Sequence, residues 1–282
     1  MIKFADNSTA QQVREMWKIV FGDPDNYMEV YFSYKYRNEN TLLYINDGKA
    51  VSSLQMLPYN FTFCGSEIPI IYLSGVCTLP SYRGRGYSSK LLIKSFEVAA
   101  ERNIPLILLV PQEDWLFNFY EKFGFAQTFD SGKEKLPSIN RLIEDSCNNL
   151  SSAYNKFDAL YRFKDMTVQK SFDDFKAIVD EARLFNFPPK MNLPGMARII
   201  NVETLLTLFA AKYPGASFST AVNDKFIEKN NRTFTVSDGA IAIDVNVGDM
   251  SQLLMGYHAS ERNEPLNTIF PEKTPQMNYM LE

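Results

Sequence analysis

The chain has 282 residues, 45% of them apolar and 22% charged, which suits a globular protein with a sizeable core in one large domain or two to three small ones. A net charge of -4 argues against a nucleic-acid partner, for which a basic face supplies most of the affinity. The longest apolar runs, such as Ile104 to Val110, fall far short of a membrane span, so no membrane partner is expected.

The first predicted element is a helix, with Ser8 and Gln11 as a capping box and Val13, Met16, Trp17 and Val20 on one stripe. A second helix is predicted from about Pro24 to Tyr36, with Asp23 as N-cap and Met28, Tyr31, Phe32 and Tyr36 along one side. The pattern then turns to strands. Thr41 to Ile45 and Ala50 to Leu57 flank an Asp47-Gly48 turn, and Tyr59 to Phe63 and Ile68 to Thr78 flank Cys64-Gly65-Ser66-Glu67, giving two hairpins. A Gly-rich turn follows, then a helix to about Arg102, a buried strand from Ile104 to Val110, a helix from Asp114 to Lys122 and a strand from Phe125 to Phe129. Ser131 to Ser138 reads as a linker, and helical patterns fill the stretch up to Pro194-Gly195. The final segment reads as a separate α+β module: a strand at Ala197 to Val202, a helix to Tyr213, a strand at Phe218 to Val222, and a hairpin of Thr233 to Val236 with Ile241 to Val247 around Ser237-Asp238-Gly239.

The most informative stretch is Leu73 to Leu92, where a strand ends, Arg83-Gly84-Arg85-Gly86 turns, and an amphipathic helix begins. Helix N-termini expose unpaired amides and a partial positive charge, and the glycines let backbone approach an anion closely. Together with Arg83, Arg85 and Lys90 this reads as a pyrophosphate cradle. The Gly-Lys-Ser/Thr ending of a P-loop and the third glycine of a dinucleotide fingerprint are both missing.

Arg83 to Ser88 resembles the Arg/Gln-x-x-Gly-x-Gly/Ala motif of the GNAT acetyltransferases, with Ser88 standing where Gly or Ala is usual. Phe119-Tyr120-Glu121-Lys122-Phe123-Gly124-Phe125 resembles that family's Tyr-x-x-x-Gly-Phe signature. The resemblance implies acetyl-CoA as co-substrate, with no metal, in a cleft between the strands at Ser74 to Thr78 and Ile104 to Val110. Val76, Cys77 and Thr78 would border the pantetheine arm. Arg83, Gly84, Arg85, Gly86, Tyr87, Ser88 and Ser89 would meet the pyrophosphate. An N–H near Val76 would polarise the thioester carbonyl, and Tyr120 would serve the leaving thiolate as acid.

Several residues have plainer readings. Trp17, Met28, Tyr31, Phe32 and Tyr36 fit core packing better than an acceptor pocket, Cys77 fits a structural strand cysteine, and Glu113 and Asp114 suit a helix start. His258, the only histidine, reads as a surface residue.

The segment from Pro194 to Val202, with the helix and hairpin after it, resembles the sterol-carrier-protein-like tail of the enhanced intracellular survival (Eis) acetyltransferases, as does the ending from Phe270 to Met280. That resemblance implies a terminal carboxylate, here of Glu282, acting as base beside Tyr120; the chain runs two residues past the family's usual aromatic end. The middle is too short for the family's complete second GNAT domain. The expected fold class is α/β: a GNAT domain at 1–135 with a mixed, mostly antiparallel sheet, a helical middle remnant at 136–194, and a sterol-carrier-protein-like α+β domain at 195–282.

The expected function is acetyl transfer to a primary amine of a small molecule or a lysine side chain, by direct transfer in a ternary complex. A non-catalytic coenzyme A- or lipid-binding protein is the alternative. Met1 to Asp6 shows no secretory signal, and three widely spaced cysteines suit reduced thiols, so a cytoplasmic location is expected. No separate assembly signal is visible, which leaves a homo-oligomer open.

Overall fold

A computed structural model describes residues 1–281. Its main sheet runs in the order β1-β2-β3-β4-β5-β8-β6, from β1 (Ile2–Phe4), β2 (Thr41–Asn46), β3 (Lys49–Phe63), β4 (Ser66–Thr78), β5 (Leu106–Leu109), β8 (Gly195–Ile199) and β6 (Ala126–Phe129). A short strand β7 (Thr167–Gln169) pairs with the far end of β3 at Asn60 to Thr62. Both expected hairpins form, and the second turns on Cys64 and Gly65 alone. All four residues of β5 are buried, Leu106 and Leu108 in one core cluster and Ile107 and Leu109 in another. A strand covered on both faces needs a continuous apolar run rather than alternation. Cutting Leu108 to alanine would cost about 2–5 kcal/mol.

On one face of the sheet lies α3 (Tyr87–Glu101), whose Leu92, Phe96 and Ala99 pack with Ile107 and Leu109, and beside it α4 (Trp115–Glu121). Helices α1 (Ala10–Phe21) and α2 (Asp25–Tyr34) bring Trp17, Tyr27, Met28 and Tyr31 into the core of the opposite face. Their caps differ from expectation. The Asp6 carboxylate, not Ser8, accepts the amides of Ser8 and Thr9 at 3.0 and 3.1 Å, while Gln11 turns outward to Glu15. Pro24, rather than Asp23, is the N-cap of α2, because the Asp23 side chain accepts the Trp17 indole N–H at 2.7 Å.

The middle segment folds as α5 (Ile139–Glu144), α6 (Leu150–Tyr161) and α7 (Phe172–Leu184) around a cluster of Phe157, Phe175 and Ile178, with Tyr279 from the tail. It therefore carries a sheet strand, β7, as well as helices.

Two expectations for the last segment are corrected. The strand near Ala197 belongs to the main sheet, antiparallel to both β5 and β6, and so the final module does not begin at residue 195. Its five residues are all buried, since β8 fills the gap that β5 and β6 leave between them. Likewise β10 (Thr233–Val236) and β11 (Ala242–Asn246) form no hairpin. They flank β9 (Phe218–Asn223), β10 antiparallel and β11 parallel to it, so that β9 is the central strand. Helices α8 (Val202–Lys212) and α9 (Val247–Met255) join this small sheet to the large core through Leu205, Phe209, Met250 and Leu253. The chain thus combines a large mixed sheet and its helices with a second, small C-terminal sheet, a mixed α/β fold. Past a short helix α10 (Leu266–Ile269), the tail returns between the parts: the Gln276 amide donates to Met166 O at 2.8 Å, and the Leu193 amide donates to Met277 O at 3.1 Å. Among the described residues no helix is long and apolar enough to cross a membrane.

Candidate active site

Strands β4 and β5 pair in parallel only from Ile70 to Leu73 against Leu106 to Leu109, and β4 then runs on to Thr78 without this neighbour. At the same place β4 bulges. Gln55 of β3 faces Ser74 and Ser53 faces Cys77, so Gly75 and Val76 together stand opposite Leu54. A bulge takes residues out of the ladder and re-aims the strand. Gly75 has φ +58°, and a Cβ there would lie 2.5 Å from the Trp17 ring, so glycine is required both for the bulge and for the packing of α1 on it.

The parting strands open two adjoining clefts, of about 360 and 190 Å³. The larger is bordered by Val76 to Thr78, Tyr82 to Ser88 and part of α4. The smaller is bordered by Trp17, Asp23, Tyr72, Ser74 and Val110. Phe21, Val76, Gln112, Leu116 and Tyr120 line both.

At the outer end of the larger cleft, Gly84 and Gly86 adopt φ +75° and +73°, and a Cβ on either would meet nothing within 4 Å. Gly86 is the N-cap of α3 and offers no side chain to its first amides. These orphan donors and the positive end of a fifteen-residue helix open onto the cleft, which gives the electrostatics of an anion site. Arg83 and Arg85 are exposed and donate to the carbonyls of Thr78 and Ser81, each at 3.3 Å, and Arg85 also lies over the Tyr82 ring, 5.3 Å from its centre. Tyr87 is held by stacking on Tyr44, with ring centroids 4.2 Å apart. Ser88 lines the cleft, whereas Ser89 does not.

Tyr120 stands on α4 where the clefts meet, its ring packed edge-on against Phe125 at 5.7 Å. Burial pushes its hydroxyl pKa well above the ordinary tyrosine value, so it stays protonated at neutral pH. Cys77 borders the cleft, but its thiol lies 3.2 Å from Ser53 Oγ and burial pushes its pKa up to about 11, which makes it a poor nucleophile. His258 sits away from both clefts, between Asp130 at 2.9 Å and Glu261 at 3.0 Å. Glu282 lies outside the described residues. Of the aromatic stripe, Trp17 lines the smaller cleft, while the Tyr31 hydroxyl donates to Ser74 Oγ at 2.8 Å from behind its wall.

Sequence reasoning missed Asp23, among the described residues the one acid lining the smaller cleft, because an aspartate before a proline and a helix has the pattern of an N-cap. It also missed Gln112, a polar loop residue with no pattern around it.

Residues 1–128 match the family model described as "Acetyltransferase (GNAT) domain", so this part of the chain carries a GNAT acetyltransferase domain. Solved structures share the fold over the full length. Eis1 from Mycobacterium abscessus is 13% identical with a TM-score of 0.63, covering 98% of this chain and 98% of its own. GCN5-related N-acetyltransferases from Anabaena variabilis (14% identical, TM-score 0.67, 97% and 94% covered) and Kribbella flavida (12% identical, TM-score 0.67, 100% and 99% covered) align similarly. No curated protein sequence matches the chain.

Proposed function

We propose that the chain transfers the acetyl group of acetyl-CoA to a primary amine of a small molecule or a lysine side chain, both substrates being bound together. The observation that carries this reading is the pair of clefts meeting at Val76 and Tyr120: one ends in an anion cradle and the other is walled by aromatics around the Asp23 carboxylate. Coenzyme A fits the first by its chemistry, its pyrophosphate at the amides of α3 and its pantetheine arm along the unpaired edge of β4. The acceptor amine enters the second. Asp23 can hold the incoming ammonium or take its proton, since among the described residues only the Trp17 indole donates to its side chain.

The amine nitrogen attacks the thioester carbon, the carbon–sulfur bond breaks, and the thiolate leaves with the Tyr120 hydroxyl beside it as proton donor. A freed Val76 N–H supports the oxyanion. The role of base that the Eis resemblance gives to the terminal carboxylate of Glu282 belongs to the same proposal, and removing Leu281 and Glu282 tests it through loss of the acidic limb of the pH–rate profile.

Initial-rate kinetics on an amine panel test the whole reading. Intersecting reciprocal plots are expected, whereas parallel plots would overturn direct transfer. Tight acetyl-CoA binding with no turnover on any amine would favour a non-catalytic binding protein.

A further inference from the structure

A cavity of about 620 Å³ lies between the far end of β3 and the middle segment, walled by residues of β3, β4, α2, α6 and the start of α7. Among the described residues its charges do not balance: four cations line it, Lys35, Arg37, Arg162 and Lys170, against two acids, Glu67 and Asp174. Both acids are already committed. Glu67 takes Arg162 at 2.7 Å and Asn60 at 2.6 Å. Asp174 takes Lys35, and caps α7 by accepting from the Ser171 amide and hydroxyl at 2.7 Å each. Arg37 reaches only the carbonyls of Ser33 and Tyr36.

Lys170 is the sharper case. It is 4% exposed, and the acceptor its ammonium meets is the thioether of Met280 at 3.3 Å, a weak partner for a charge. The ammonium groups of Lys35 and Lys170 lie 4.6 and 5.1 Å from the centre of one ring, that of Tyr59, and among the described residues the carboxylate that acts on Lys170 is that of Asp174. Asp174 is shared with Lys35 and Ser171, so burying a second ammonium beside it is costly, and a further anion would offset that cost. Tyr59, Tyr154, Phe172, Leu57 and Ile70 add an aromatic and apolar stretch of wall, beside the polar Asn60, Gln169 and Ser171.

The geometry points to a second ligand site, in which a small organic anion with an aromatic or apolar body places its carboxylate or phosphate against Lys170 and Arg37. Burial holds the Lys170 amine down to about 7, so an entering anion also draws a proton onto it, in the company of Lys35, Asp174 and Tyr59.

The test is calorimetric titration of the full chain with benzoate and with phenyl phosphate, the two arms separating carboxylate from phosphate, and with benzyl alcohol as uncharged control. Coenzyme A is kept saturating to fill the other anion site. Millimolar binding of at least one anion, none of the alcohol, and proton uptake read from buffers of different ionisation heat are expected. Lys170→Met should weaken the anion at least tenfold while leaving coenzyme A affinity unchanged. Arg37→Gln, at an exposed position, should weaken it several-fold. Wild-type affinity in both variants, or no binding of either anion at tens of millimolar, would overturn the site.

Discussion

Arg198 of β8 donates to Asp224 Oδ1 at 2.6 Å with both side chains fully buried, and so joins the main sheet to the segment that follows β9. The same carboxylate accepts Asn230 at 2.8 Å and the amides of Phe226 and Ile227. The guanidinium also lies over the Phe96 ring of α3, 5.1 Å from its centre. Removing one partner of such a pair leaves the other buried and uncompensated, which costs about 3–5 kcal/mol. Asp224→Ala is therefore expected to lower the unfolding free energy by that amount in denaturant titration. Replacing both residues by apolar ones of similar size should recover most of the loss.

The cradle predicts a binding defect. Gly86→Val puts a branched side chain at φ +73°, on backbone that faces the larger cleft. Coenzyme affinity should fall by roughly tenfold or more, about 1.4 kcal/mol, with cooperative unfolding preserved. An unchanged calorimetric affinity in the folded variant would remove the phosphate site from these amides.

Tyr120→Phe keeps the ring packing against Phe125 and removes only the hydroxyl. Turnover should drop by roughly a hundredfold to ten-thousandfold, with coenzyme affinity almost unchanged. Because burial raises this hydroxyl, the wild-type rate should not decline through loss of the tyrosine proton until the pH exceeds the ordinary tyrosine value of about 10. A variant with wild-type turnover would reduce Tyr120 to a packing residue.

Cys77 provides the contrasting case. With its thiol buried and its pKa pushed up to about 11, no acetyl-enzyme should form on it. Intact-protein mass spectrometry with acetyl-CoA and no acceptor should show no added acetyl group, and Cys77→Ala should keep most of the activity. A stable acetylated Cys77 would replace direct transfer by a two-step route.

The parts of the site read from sequence are those encoded locally. The turn Arg83 to Gly86, its helix, and Tyr120 before Phe125 each carry their chemistry within a few residues. The parts that were missed depend on distant partners. Nothing within Gly195 to Ile199 reveals that its neighbours are β5 and β6, since five residues that include Arg198 carry no mark of which strands they pair with. The turn at Ser237 to Gly239 suits a hairpin, yet β9 competes for both flanking strands and wins them. Asp23 reads as a cap until the Trp17 indole is seen to occupy it.

The place of β8 also governs how the molecule can be assembled. During synthesis β1 to β5 emerge early and can pair with one another, but β6 has no sheet neighbour until residues 195–199 have left the ribosome. A nascent chain must therefore carry an unpaired edge on β5 while the whole middle segment is being made, and bare strand edges of that kind invite association. Residues 1–135 expressed alone should consequently be aggregation-prone, because the acetyltransferase part borrows its closing strand from a stretch of chain translated much later.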